Sequence, residues 1–170
     1  MLALIRFFVA LATLRRGPQD LPASPALLVL LAGLNVLVGT VNGAELFGGL
    51  RAALGANLLD LLLSMLMLFA LLQVKGHPAR WQQTASAFLG LGTLAGLIMM
   101  FIKPPAELLG VTELAMMMDL VLAIWLHVAL GNVLRHALGV PLFAGVIIVL
   151  SYTVLAFNII ARVFPPILVS

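Results

Sequence analysis

Hydrophobic residues form five long stretches in this chain, and short segments with polar residues, proline or glycine separate them. A helix needs about 20 apolar residues, at 1.5 Å rise per residue, to cross a hydrocarbon core about 30 Å thick. Because each stretch is long enough, we predict an all-α, polytopic integral membrane protein, a bundle of five transmembrane helices. The predicted spans cover residues 24–44, 53–74, 84–102, 113–134 and 141–164.

The composition fits a lipid environment and excludes several classes of site. The chain is 64% hydrophobic and 9% charged, whereas soluble proteins are about 25% charged. One membrane domain, residues 24–164, uses most of the chain and leaves no room for a soluble catalytic domain. Because cysteine is absent, disulfides, thiolate metal sites, iron–sulfur clusters and covalently attached haem are excluded.

We expect no cofactor and no metal from the remaining residues. His127 lies deep in the fourth span without a second histidine at ligand spacing, which favours a neutral histidine hydrogen-bonded to a neighbouring span. Residues 116–118 are three methionines, whose thioethers suit Cu(I), but consecutive side chains point around a helix and are typical of core filling. A matched Ser–His pair is missing, so we predict no enzymatic activity. Dispersed basic residues do not predict nucleic acid as a partner.

Residues 1–16 predict an amphipathic helix on the membrane surface. Arg6 divides the apolar N-terminal run, which is therefore too short to span and is not typical of a cleaved signal peptide. Such a helix would place Phe7, Phe8 and Leu11 in the acyl boundary and its arginines at the headgroups. A packed or frayed tail is the alternative.

Helix-breaking residues separate this segment from the first span. Residues 17–23 include one glycine and two prolines and predict a cytoplasmic linker. Ser24 is suited to cap the first span because its hydroxyl can accept a backbone N–H, with Pro25 at the first helical position. At the other end of the chain, residues 165–170 are predicted to form a short external tail.

The distribution of lysine and arginine gives the spans an orientation. Six basic residues lie on one side of a five-span topology and three on the other. The side with six is cytoplasmic by the positive-inside rule. We therefore expect a bacterial inner membrane protein with a cytoplasmic N-terminus and a periplasmic C-terminus. The six are Arg6, Arg15, Arg16, Lys75, Arg80 and Arg135, and the three are Arg51, Lys103 and Arg162.

Polar residues inside the spans are the candidate functional groups, because a charge in hydrocarbon is costly unless it is paired or hydrated. Asn57, Asp60 and Ser64 have helical spacing that places them on one face. Asp119 on the fourth span and two residues of the fifth span reach a similar depth. The expected cluster, near the outer leaflet, consists of Asn57, Asp60, Ser64, Asp119, Asn158 and Arg162.

This cluster has two interpretations. In a structural clasp, Asn158 and Arg162 neutralise and orient the aspartates, which predicts paired carboxylates and no continuous cavity. In a small transporter, Asp60 and Asp119 form a protonatable pair that lines an outward cavity. Two carboxylates in five spans favour the clasp.

Small residues recur at four-residue spacing on two spans. Gly39 and Gly43 on the first span, and Gly92 and Gly96 on the third, form GxxxG motifs that let helix backbones approach closely. Packing within the bundle is the expected use of both motifs. Homodimerisation is the alternative.

The turn before the third span resembles a known family. It reads Lys75-Gly76-His77-Pro78-Ala79-Arg80 and continues into Trp81-Gln82-Gln83-Thr84. A basic, glycine-containing turn followed by an aromatic residue and Gln-Thr resembles the Yip superfamily, the Rab-GTPase-interacting five-span membrane proteins, and particularly its bacterial relatives. The resemblance covers residues 55–160 and implies the architecture alone. The Asp-Leu-Tyr-Gly-Pro motif of the eukaryotic members is absent, so GTPase recognition is not implied.

Two classes of function follow from these features. We expect a non-enzymatic scaffold or accessory subunit of a membrane assembly, with the lipid bilayer and other membrane-protein subunits as partners and a homodimer as one form of assembly. The alternative is a small proton-linked transporter or channel that uses Asp60 and Asp119.

Overall fold

The computed structural model describes residues 2–167, apart from the side chains of residues 2, 3, 5, 103–108 and 112. This part of the chain is helical, and five of its helices are long and apolar enough to cross a membrane. The prediction of an all-α bundle with five transmembrane helices is confirmed. The helices are α1 (Leu2–Ala12), α2 (Pro25–Gly43), α3 (Leu50–Val74), α4 (Trp81–Leu108), α5 (Thr112–Leu138) and α6 (Leu142–Val163).

The helix ends extend beyond several of the predicted spans. The third predicted span covers 84–102, whereas α4 begins at Trp81 and continues to Leu108. Helix α5 likewise continues past residue 134 to Leu138. Hydropathy predicts only the part of a helix that lies in lipid. The helix itself continues into the polar region because its backbone hydrogen bonds do not require apolar side chains.

Local capping explains where two helices begin and end. The Ser24 hydroxyl accepts a hydrogen bond from the backbone N–H of Leu27 at 3.3 Å, and Pro25 occupies the first turn of α2. The predicted cap is confirmed. At the end of α5, Gly139 adopts the left-handed conformation with φ of 67°, which costs glycine little because it has no Cβ.

Helix α4 occupies the centre of the bundle. Its segment from Thr84 to Leu91 is completely buried, and the helix packs closely against α2 on one side and α5 on the other. Helices α5 and α6 also pack closely, whereas α3 contacts α6 less extensively. Glycines in α5 and α6 allow this approach, because a Cβ on Gly131 would meet Val146 at 2.5 Å.

Helix α1 packs into the protein, contrary to the expected contacts of its aromatic face. Phe7, Phe8 and Leu11 are buried, Leu11 completely. Phe8 lies over Gly90 of α4, where any larger residue would occupy the space of its ring. We expected these side chains in the acyl boundary, but they are buried against other helices, and Phe8 packs where Gly90 of α4 has no side chain.

The segment between α1 and α2 is held against α4 and α5 by hydrogen bonds. Trp125 of α5 donates its indole N–H to the carbonyl of Ala12 at 3.0 Å. Gln83 of α4 donates its amide to the carbonyl of Leu21 at 2.6 Å, and the Leu21 side chain is buried. The predicted linker, residues 17–23, is therefore a packed part of the bundle.

The segment after α6 lies at the opposite end. The backbone N–H of Ile167 donates to the carbonyl of Leu46, in the loop between α2 and α3, at 2.8 Å. Part of the predicted external tail, residues 168–170, lies outside the described residues, as do the side chains of Lys103 and Glu107.

Candidate functional site

A cavity of about 280 Å³ lies between the five spanning helices, and each of them contributes to its wall. We call it the Asp60 cavity. Its polar lining comes from α2, α3 and α6, and its apolar lining comes mainly from α4, α5 and α6. The polar residues are Asn35, Asp60, Ser64, Tyr152 and Thr153, and the aromatic ones, besides Tyr152, are Phe88 and Phe157.

The cavity lies near the middle of the bundle rather than at its outer end. Asn35, Asp60 and Tyr152 each lie about 15 Å, at 1.5 Å rise per residue, from the first residue of their helix. The sequence places the polar cluster near the outer leaflet. The polar residues that converge are instead those at mid-depth.

Asp60 and Tyr152 form the central contact of the cavity. The Tyr152 hydroxyl donates to Oδ1 of Asp60 at 2.7 Å and lies 3.1 Å from the Asp60 carbonyl oxygen. The bond joins α3 to α6, which also pack against each other through an apolar cluster that includes Ala56, Ala156 and Ile160. Tyr152 also packs edge-on against Phe88, with ring centroids 6.4 Å apart. A buried carboxyl group needs such a partner, since an unpaired one costs several kcal/mol.

The remaining polar side chains are partly used by the protein itself. Asn35 donates its amide to the carbonyl of Leu89 on α4 at 3.3 Å. Ser64 donates to the carbonyl of Leu61 at 2.9 Å, and the Thr153 hydroxyl lies 3.0 Å from the carbonyl of Val149. These bonds fix the oxygen atoms of the three side chains at the cavity wall.

His127 lies behind Thr153, as a link between α5 and α6. Its Nε2 is 3.1 Å from the Thr153 hydroxyl, and its Nδ1 is 2.8 Å from the carbonyl of Ala123. A carbonyl only accepts, so Nδ1 carries a proton. The predicted hydrogen bond between His127 and a neighbouring span is confirmed.

The predicted clasp, in which Asn158 and Arg162 neutralise and orient the two aspartates, is not formed among the described residues. Asp60 pairs with Tyr152, and one carboxylate oxygen of Asp119 is buried with no hydrogen-bond partner among the described residues. Asn158 is exposed and donates to Val154 on its own helix at 2.7 Å. Arg162 is also exposed. Asn158 and Arg162 were predicted to lie at the depth of the two aspartates, but the rotation of α6 directs both side chains outward, away from the cavity.

Asn57 also points away from Asp60. It donates to the carbonyl of Ala53 at 2.8 Å, and its amide lies against Gly39 and Gly43 of α2. Of the six predicted cluster residues, Asp60 and Ser64 line the cavity. Gly39 and Gly43 therefore serve contact between α2 and α3.

The second glycine pair serves contact between α2 and α4. A Cβ on Gly92 would meet Asn35 at 2.8 Å, and one on Gly96 would meet Val38 at 2.6 Å. Asn42 donates to the carbonyl of Gly96 at 2.9 Å. Both motifs thus have the predicted use inside the bundle.

The loop between α3 and α4 has a structural role at the end of the bundle that also holds the N-terminal segment. Arg80 donates to the carbonyl of Ala137 at 3.1 Å and lies 3.4 Å from that of His136, which satisfies free carbonyls at the end of α5. Gln83 holds the N-terminal segment, and Thr84 donates back to the carbonyl of Arg80 at 2.8 Å.

The other residues of this loop have simpler environments. Gly76 adopts φ of 72° at the turn after α3, a conformation that favours glycine. Lys75 is exposed, and Gln82 and Trp81 are half-buried. The indole nitrogen of Trp81 has no partner in the described part of the chain.

Three polar residues of the cavity were not singled out in the sequence. Asn35, Tyr152 and Thr153 lie at the centre of predicted spans, where polar side chains are uncommon. Tyr152 is the one tyrosine of the chain. That rarity was the available signal, but the register that turns it toward Asp60 depends on how α3 and α6 pack.

The donor set of the site does not resemble a metal centre. In the described residues, no three His, Asp or Glu side chains converge closely enough to hold a metal ion. Comparison with known proteins gives no match to a family model, to a curated protein or to a solved structure.

Proposed function

We propose that this protein is a small proton-linked transporter whose central group is Asp60. The observation that carries the proposal is the Asp60 cavity, which all five spanning helices line and which contains a carboxyl group at mid-depth. Ionisable residues inside a membrane are functional candidates by default, because their cost must be offset by a role. Binding sites near the bilayer midplane are typical of secondary transporters.

Such a transport cycle requires one carboxyl group at which a proton and a solute replace each other. Asp60 holds a proton in one state and a solute in the other, so that each displaces the other. Tyr152 keeps the carboxyl oriented in both states through its 2.7 Å hydrogen bond. Asp119 takes no part, because its carboxylate lies outside the cavity.

The remaining features of the molecule fit this proposal. The fold brings the N-terminal segment, the turn before α4 and the end of α5 to one end of the bundle. These segments carry the larger share of lysine and arginine, which supports a cytoplasmic N-terminus in a bacterial inner membrane. We propose that the protein has no enzymatic activity and that its five-span architecture is Yip-like.

A scaffold or accessory subunit is the second candidate. An apolar groove of about 450 Å³ runs between α3 and α6 and includes Leu66 and Leu155, both largely exposed. A helix of another membrane-protein subunit or of a second copy fits that surface. The aspartate pairing that we expected for a scaffold is missing.

Proteoliposomes test the transport proposal. With a pH-sensitive dye inside, we expect the wild-type protein to couple proton movement to at least one member of a panel of small cationic, anionic and neutral solutes. Asp60→Asn should abolish that movement, because an amide cannot exchange a proton. Asp119→Asn is the matched control and should retain it.

Two outcomes would contradict the proposal. Equal proton movement with wild type and with Asp60→Asn means that the carboxyl has no role. No solute-dependent movement across the whole panel, from a protein that is folded and inserted, leaves the scaffold as the better description.

A further inference from the structure

The hydrogen bonds around the Asp60 cavity leave acceptors facing its interior. The hydroxyl proton of Tyr152 points to Asp60, and that of Ser64 points to the carbonyl of Leu61 or to the neighbouring Tyr152 oxygen. Because Nδ1 of His127 carries the ring proton, the hydroxyl proton of Thr153 points to Nε2 of His127. A hydroxyl group has one proton, so these three oxygens offer lone pairs to whatever enters.

The carboxyl and amide groups add further acceptors. An ionised carboxylate has about four lone-pair sites, and the hydroxyl of Tyr152 occupies one of them on Asp60. The amide nitrogen of Asn35 is used on the carbonyl of Leu89, which leaves its Oδ1 as an acceptor. An anion in this cavity would be repelled by the lone pairs and by the carboxylate. A cation with N–H groups would donate hydrogen bonds to the acceptors and balance the charge of the carboxylate.

The rest of the lining is apolar and limits the size of the ligand. Phe88, Leu126 and Ile160 contribute to a wall without polar atoms in their side chains. The volume of about 280 Å³ is just below the range of about 300–1,000 Å³ typical of drug-sized ligands. A bare alkali ion would leave this wall uncovered, so the ligand has a small apolar part.

Charge balance points in the same direction. The residues that line the cavity include Asp60 but no lysine, arginine or histidine. A carboxylate in a low-dielectric site requires a counter-charge, and the described part of the cavity wall does not provide one. The bound ligand would supply it.

We infer that the Asp60 cavity binds a small primary alkylammonium ion. Its three N–H groups donate to the Asp60 carboxylate, to Oγ of Ser64 and to Oδ1 of Asn35, and its alkyl part packs against Phe88. A quaternary ammonium ion has the charge but no N–H donors, and sodium has neither donors nor an apolar part. The inference rests on the proposed function, since it takes Asp60 as the group that exchanges its proton for the solute.

Calorimetric titration of the full chain in lipid nanodiscs tests this inference with n-butylammonium chloride as the probe. We expect saturable binding, with tetramethylammonium, sodium and butyrate ions each at least about tenfold weaker, since a charge-assisted hydrogen bond is worth about 1.5–3 kcal/mol. Asp60→Asn should weaken binding of n-butylammonium by about a hundredfold or more, because the buried counter-charge is lost. Asp119→Asn is the matched control and should bind as wild type does.

A milder variant keeps the test decisive if Asp60→Asn does not fold. Ser64→Ala removes one acceptor and a bond within its own helix, and it leaves the carboxyl in place. It should weaken binding of n-butylammonium by about threefold to tenfold, the range of one hydrogen bond, and leave tetramethylammonium unchanged. Equal affinity of wild type for n-butylammonium and tetramethylammonium would overturn the donor argument, and equal affinity for sodium would assign the site to an inorganic cation.

The inference and the proposed function fail separately. Saturable binding of n-butylammonium that depends on Asp60, without any coupled proton movement, supports the site and rejects transport. Proton movement coupled to another solute, with no binding of n-butylammonium by wild type, supports transport and rejects this ligand class.

Discussion

At the residue scale, the hydrogen bond between Asp60 and Tyr152 is the contact on which the site depends. It adds a polar contact to the apolar packing between α3 and α6, and it provides a partner for a carboxyl group at mid-depth. Hydrogen bonds between transmembrane helices contribute on average about 0.6 kcal/mol, with about 1.7 kcal/mol at the upper end. A contact with a buried carboxyl belongs in the upper part of that range.

A double-mutant cycle measures this contact. We expect Asp60→Ala and Tyr152→Phe each to lower the free energy of unfolding, and their coupling energy to be about 1 kcal/mol, because the double variant loses the same bond once. Unfolding in mixed micelles is the measurement. Asn158→Ala on the same helix is the control and should show no coupling with Asp60→Ala, because Asn158 is exposed and bonds to its own helix. Strictly additive effects of the first pair would reject the contact.

At the element scale, α1 is a packed helix, and one of its contacts requires a glycine on α4. Phe8 lies over Gly90, where a Cβ would occupy the space of its ring. The apolar face of α1 predicted from the sequence is real, but the surface that it covers is α4 and α5 rather than lipid. Periodicity shows that a helix has an apolar face and does not show what that face meets.

Substitution of Gly90 tests this packing. Gly90→Ala should displace Phe8 and increase backbone hydrogen exchange throughout α1, since overpacking of a tight contact costs about 1–3 kcal/mol. Gly33→Ala is the matched control, because a Cβ at Gly33 would meet nothing within 4 Å. Phe8→Ala combined with Gly90→Ala should relieve the collision. Unchanged hydrogen exchange of α1 in Gly90→Ala would contradict the packing of Phe8 against Gly90.

At the scale of the whole molecule, one end of the bundle gathers the N-terminal segment, the turn before α4 and the end of α5. Arg80 and Gln83 make the contacts that hold these segments together. The positive-inside rule concerns such an asymmetry in lysine and arginine between the loops on the two sides of the membrane. The lateral arrangement of the helices does not enter that rule.

The absence of cysteine offers a clean background for testing the orientation. In single-cysteine variants, Arg15→Cys should react with an impermeant thiol reagent in inside-out vesicles but not from the outside of intact spheroplasts. Arg51→Cys, at the opposite end, should show the reverse. Both positions are exposed, so labelling reports sidedness. The opposite pattern would reverse the proposed topology.

The sequence determined the membrane environment, the five helices, the cap at Ser24 and the asymmetry of charge, because each depends on hydropathy or on neighbours in the chain. It also indicated Asp60 and Ser64 by their shared helix face. Tertiary structure alone decided that Tyr152 meets Asp60, that Asn35 joins them, and that Asn158 and Arg162 point outward. Those outcomes depend on the rotation and crossing of packed helices, which follow from side-chain contacts between distant segments.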